Sequence, residues 1–188
     1  MNKIIKVILI LFFLTGNLFA ATVNCPDGSI YKGDIVDNLF QGYGEQIWAN
    51  GDYYKGTYSK GQFDGKGILK NGQYLYEGTF ENGCYNGTGI LTSEFGYKYI
   101  GDFKNNLFDG MGFLQYSSGE SWKGDFSKGN FNGMCIHTMT NGKKETQYYQ
   151  NGIQLDPYKP LKKFGIIFLV ISLGISIFFN FRNLFHKK

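Results

Sequence analysis

Glycines and aromatic residues recur at fixed spacing through the middle of this chain, and that recurrence limits its fold more than any other feature. Tyr31-x-Gly33, Tyr54-x-Gly56, Tyr76-x-Gly78, Tyr99-x-Gly101 and Trp122-x-Gly124 follow one another at steps of 23, 22, 23 and 23 residues. Nine residues after each of these glycines comes a Gly-x-Gly pair. The pairs are Gly42/Gly44, Gly65/Gly67, Gly87/Gly89 and Gly110/Gly112, and the last copy is broken as Gly133/Cys135. An aromatic stands two residues ahead of each pair, at Phe40, Phe63, Tyr85, Phe108 and Phe131. An apolar residue stands two after each leading glycine, at Ile35, Tyr58, Phe80, Phe103 and Phe126. A period of this length means stacked copies of one small unit, each contacting its neighbours, in place of a single globular core.

Two further columns define the unit. Asn38, Gly61, Gly83, Asn106 and Gly129 share one position, and Gly and Asn are the residues that tolerate positive φ. Gly28, Gly51, Gly72, Gly96, Gly119 and Gly142 share another, often after Asn or Asp, a pairing that favours tight turns between antiparallel strands. Each repeat is therefore expected to be a hairpin, and the repeats together a meander of ten strands, about 50 Å long at 4.8 Å per strand. Strand alternation puts Tyr31, Gly33 and Ile35 on one face and Lys32 and Asp34 on the other. Rings lying flat on bare glycine backbone would form a core repeated along the chain.

This pattern, Tyr-x-Gly-x-aromatic followed by aromatic-x-Gly-x-Gly at a period of 23, resembles the membrane occupation and recognition nexus (MORN) repeat over residues 28 to 142. The resemblance implies an all-β, elongated, twisted antiparallel meander in a single sheet. It also implies a scaffolding or membrane-associated role. The chain departs from the pattern in three places. Residues 67 to 72 are two shorter than their counterparts, and Tyr74-Leu75-Tyr76 carries one extra residue. After Gly142 the motif decays to Glu145-Thr146-Gln147, so residues 143 to 155 read as a degenerate cap.

Charge separates the middle from the ends. The whole chain carries 19 Lys+Arg against 15 Asp+Glu. Residues 21 to 158 hold 11 lysines and all 15 acids, a net charge of −4. An acidic middle lacks the basic footprint of a nucleic-acid binder. The basic residues flank two apolar segments. Residues 1 to 20 read as a signal peptide, with Lys3 and Lys6 ahead of the apolar run Val7 to Leu14 and small residues at Ala20-Ala21. Residues 164 to 181 contain no charge, and 18 residues at about 1.5 Å each span the hydrocarbon core as a transmembrane helix. Residues 182 to 188 form a short basic tail, expected in the cytoplasm. Whether the N-terminal segment is cleaved or retained as an anchor, residues 21 to 158 are expected outside the cytoplasm.

Chemistry-bearing constellations are sparse. Cys135 and His137 share a strand face, but no third ligand or orienting acid stands at a suggestive spacing. No phosphate loop, zinc spacing or cofactor motif is present, so neither catalysis nor a cofactor or metal is expected. Asn86-Gly87-Thr88 is a glycosylation sequon in eukaryotes, but Asn-Gly also suits the repeat. Cys25, Cys84 and Cys135 fall on well-separated strands, so no disulfide within the chain is expected. Two routes to a homodimer are open: an interchain disulfide from the odd cysteine count, and helix packing through Ser172 and Ser176.

The expected function is that of a membrane-anchored, non-catalytic interaction module for a protein or envelope component. The aromatic and glycine columns are structural in this reading. The outward column Lys32, Lys55, Glu77, Ile100 and Lys123 is the expected interaction face. Lipid binding by the repeat domain is a second class, opposed by its −4 charge although Lys159, Lys162 and Lys163 border the helix. Binding of cell-wall carbohydrate through exposed aromatics is a third.

Overall fold

The computed structural model describes residues 21–156. The segments expected as a signal peptide, a transmembrane helix and a basic tail lie outside the described residues, within which no helix is long and apolar enough to cross a membrane. The described residues form one open antiparallel sheet of 13 strands in sequence order. The strands are β1 (Ala21–Asn24), β2 (Ile30–Val36), β3 (Leu39–Ile47), β4 (Tyr53–Ser59), β5 (Gln62–Asn71), β6 (Tyr74–Glu81) and β7 (Cys84–Ser93). They continue as β8 (Tyr97–Lys104), β9 (Leu107–Tyr116), β10 (Ser121–Ser127), β11 (Asn130–Thr138), β12 (Lys144–Gln150) and β13 (Ile153–Leu155).

The expected ten strands are β2 to β11, and three more extend the sheet. At one edge, β1 pairs Val23 with Tyr31. At the other, the degenerate cap is a hairpin in its own right. Glu145 and Gln147 occupy positions where repeats have an aromatic and a glycine, but Tyr149 retains the next apolar position and pairs with Gly133. Asn151 and Gly152, at φ 50° and 79°, make its turn.

Both central residues of every turn from an even to an odd strand have positive φ, as at Asp37-Asn38 and Asn82-Gly83. This is the type I′ geometry whose twist matches that of the flanking strands. The turns also bond repeat to repeat. The Gly61, Gly83, Asn106, Gly129 and Gly152 N–H groups donate to the carbonyls of Phe40, Phe63, Tyr85, Phe108 and Phe131. The short segment after Gly67 closes as a two-residue loop at Gly72-Gln73, since Asn71 already pairs with Tyr74. Its full-length counterpart at Trp48–Asp52 needs a longer loop, closed by Trp48 N–H to Asp52 O at 2.9 Å.

The core is a stack of rings on a stripe of glycines. Gly33, Gly44, Gly56, Gly67, Gly78, Gly89, Gly101, Gly112 and Gly124 are register partners across nine consecutive strands, and Cys135 is next. Tyr31, Tyr54, Tyr76 and Tyr99, each 0% exposed, lie over this stripe. Each donates its hydroxyl to the carbonyl three residues on, for example Tyr54 to Thr57 at 2.8 Å. Each stacks on the next aromatic column, with Tyr54 and Phe63 centroids 3.8 Å apart and 12° between planes. Edge-on rings join one repeat to the next, as where Phe80 meets both Tyr54 and Tyr76. Stacked and T-shaped pairs are the favoured aromatic geometries. A one-layer sheet thus makes a dry core on one of its faces.

Burial holds these phenols neutral. The Tyr31 and Tyr76 hydroxyls are pushed up to about 12, by burial first and for Tyr31 also by the nearby Asp34 carboxylate. Burial likewise raises Tyr54 and Tyr99. Unfolded tyrosine ionises near 10. The folded pKa is therefore the higher one, so the stabilisation is complete below pH about 10 and is lost as pH rises through about 12. Alkaline titration is expected to show a late class of phenols ionising together with loss of strand circular dichroism. Ionisation of every phenol near pH 10 with strands intact would contradict this packing.

The fifth copy departs from the ladder for a visible reason. The Sγ of Cys135 lies 2.7 Å from where a Cβ on Gly124 would sit, in the space a ring fills elsewhere. Trp122 is displaced and stacks on His137, with centroids 3.9 Å apart and planes at 5°.

Candidate functional site

The opposite face of the sheet carries the surface. Alternation along each strand turns Lys32, Lys55, Glu77, Ile100 and Lys123 away from the rings, and all five are exposed. Strand pairing sets another residue between each two of them. The full row across the sheet runs Lys32, Glu45, Lys55, Ile68, Glu77, Ile90, Ile100, Phe113, Lys123 and Ile136. Sequence reasoning found the members on even strands and missed those on odd strands. Their signal was the residue following each Gly-x-Gly pair, placed beside the Tyr-x-Gly column once the glycines pair.

The row changes character along its length. At the β2 end it is charged, with Lys55 Nζ 3.0 Å from Glu45 Oε1. From β5 onward it is mainly isoleucine and phenylalanine, with Glu77 and Lys123 the only charges up to Ile136. Beside it runs a second row, Tyr43, Lys66, Thr88, Met111 and Met134, the central residues of the Gly-x-Gly pairs. Between the two rows the bare glycine backbone forms the floor of a groove of about 590 Å³, lined among others by Lys55, Ile68, Glu77, Ile90 and Ile100. Lys32 and Lys123 lie outside it.

A bulge in each repeat builds this surface. The register shifts beside every leading glycine, at Gly33, Gly56, Gly78, Gly101 and Gly124. The extra residue includes a glycine at positive φ, such as Gly65 at 91° and Gly110 at 112°. Bulges of this kind bend a strand and strengthen its twist. Asp34, Asp102 and Asp125 stand over these bulges beside Gly42, Gly110 and Gly133. The Asp102 carboxylate accepts the Met111 N–H at 3.1 Å.

Comparison with protein-family models matches the MORN repeat at residues 31–53, 54–73, 76–94, 99–121 and 122–144. The chain belongs to the MORN repeat family. The two shortest matches are 54–73, which ends on the two-residue loop at Gly72-Gln73, and 76–94, which follows it. No curated protein matches the chain. MORN repeats point to an interaction or scaffold module, in a family that is generally non-catalytic.

In this MORN sheet the cysteines sit far from one another in strand order. Cys25 is in the β1–β2 loop, Cys84 opens β7, and Cys135 is in β11. Cys135 is buried, and burial pushes its thiol up, away from the nucleophilic thiolate. His137 Nε2 lies 2.6 Å from Glu120 Oε1, while its Nδ1 is buried and without a partner. Among the described residues no three His, Cys, Asp or Glu side chains converge as a metal site. Asn86 belongs to a column of polar side chains, Gln41, Asp64, Asn86, Asp109 and Asn132, that sequence reasoning did not single out. Four of the five accept the first turn N–H of the following repeat, for example Asp109 from Lys128 at 3.0 Å.

Proposed function

We propose that this protein is a membrane-anchored, non-catalytic scaffold that offers the ring-free face of its MORN sheet to a protein partner. The observation that carries the reading is the partly exposed apolar row Ile68, Ile90, Ile100, Phe113 and Ile136, interrupted only by Glu77 and Lys123. The opposite face already buries its aromatic residues, so this row is not needed for the core. Contiguous exposed apolar surface of this kind marks interaction sites. The expected interaction column Lys32, Lys55, Glu77, Ile100 and Lys123 belongs to the same row. The −4 charge of residues 21 to 158 favours a protein over an anionic lipid surface. The anchor in this reading is the uncharged segment 164 to 181, with the repeats outside the cytoplasm.

A photocrosslinking residue at Ile90 in the full-length protein, expressed in its own cells, is expected to yield a discrete adduct. The same residue at Asn50, in an exposed loop, is expected to yield none. Identical labelling at both positions, or at neither, would sink the reading. Anchoring is tested separately by alkaline carbonate extraction. The full chain should stay with the membrane, and a chain ending at residue 158 should be released.

A further inference from the structure

We infer that the partner of the apolar row is a second copy of this chain, related by a twofold axis lying along β8 over Ile100. This rests on the reading above that the ring-free face is the interaction surface. The row is self-complementary about Ile100. Counting outward across the register, one strand away on either side stand Ile90 and Phe113. Two strands away stand Glu77 and Lys123. Three away stand Ile68 and Ile136. An axis along β8 brings each of these residues opposite its counterpart in the other copy. Apolar residues then meet apolar residues, and Glu77 meets Lys123 twice.

Among the described residues neither Glu77 nor Lys123 makes an ion pair, although each sits between two apolar neighbours in the row. Lys55, by contrast, is paired inside its own chain with Glu45, and it lies outside the self-complementary stretch. Away from the axis strand the second row follows the same operation. Thr79 meets Asp125, and Thr88 meets Met111. Lys66 meets Met134, an adaptable side chain suited to cover a lysine stem. Asp102 stands on the axis strand and faces its own counterpart in the other copy, each carboxylate accepting a Met111 N–H within its own chain. Lys98, on the same strand, faces its own counterpart at the exposed rim, where water and salt screen the pair. The seven strands from β5 to β11 span about 29 Å at 4.8 Å each. Three rows of side chains give about 20 Å along the strands, hence about 600 Å² per partner, the lower end of a specific interface. An isologous contact of this kind closes on itself as a dimer.

The test uses two differently tagged full-length copies expressed together, with recovery of one tag on the other as the readout. Wild type is expected to co-recover. Glu77→Lys alone sets two ammonium groups face to face, and Lys123→Glu alone sets two carboxylates face to face. Each is expected to reduce co-recovery at least about tenfold, because like charges meet at both symmetry-related contacts. The double variant E77K/K123E is expected to restore it. So is a mixed pair with E77K on one tag and K123E on the other. Positions 77 and 123 lie four strands, about 19 Å, apart in one chain, so rescue cannot arise within a copy. Equal recovery for all variants would place self-association elsewhere and overturn the inference. Absence of wild-type co-recovery would also overturn it. A persisting adduct of different mass at Ile90 would then leave the scaffold reading standing, and loss of that adduct would remove both.

Discussion

Replacing Tyr76 by alanine is expected to destabilise the sheet by about 4 kcal/mol, the cost of deleting a fully buried large aromatic. Tyr76 is 0% exposed, stacks on Tyr85 at 3.8 Å, and meets Phe80 and Phe103 edge-on. It also covers the backbone at Gly78 and Gly89, which have no side chains to close the gap. The loss reaches beyond one repeat, because Phe80 and Phe103 link this unit to its neighbours. Tyr76→Phe is the control. It keeps the stack and removes only the hydroxyl bond to Thr79 O at 2.9 Å, at about 1 kcal/mol. Urea denaturation of the full chain, followed by fluorescence of Trp48 and Trp122, measures both. Equal costs for the two variants would mean that the ring itself contributes little.

The second large effect is Gly89→Ala, expected to cost about 3 kcal/mol. A Cβ at Gly89 would lie 2.5 Å from the Tyr76 hydroxyl and 2.6 Å from its ring, so the ring must leave its seat. Gly51→Ala is the informative comparison. Gly51 has φ +86° and nothing within 4 Å of a Cβ, so only the left-handed conformation is penalised, at about 1 kcal/mol. The two glycines look alike in the repeat pattern, yet one is required for space and the other for backbone conformation. If the ranking were reversed in the same denaturation experiment, the rings could not be lying on the stripe.

Those two glycines show how the sequence could be read. Gly51, Gly61 and Gly83 were legible as turns because positive φ is a local property of a residue and its neighbours. The buried face was legible because alternation along a strand is also local. Trp122 was harder to place. It occupies the tyrosine column, and its different seat follows from Cys135, one strand away, filling the space above Gly124. The cap hairpin was hidden because Glu145 and Gln147 carry none of the repeat's marks. Only the pairing of Tyr149 with Gly133, and the bond from Gly152 N–H to Phe131 O, show that the repeat geometry continues. Nothing next to Asp64 and Asp109 in the sequence marks them as turn acceptors. Their N–H donors stand 18 and 19 residues further on, in the next repeat.

By itself the sequence determined the all-β repeat, the hairpin unit, the turn positions and the face on which the rings lie. Each of these follows from conformational preferences within a few residues. Only the tertiary structure decided which outward residues stand side by side. A bulge in every repeat shifts the register by an amount that strand periodicity does not contain. That shift sets Ile68, Ile90, Phe113 and Ile136 among the outward residues of the even strands, and so turns an unremarkable column of lysines, glutamate and isoleucine into one continuous apolar row.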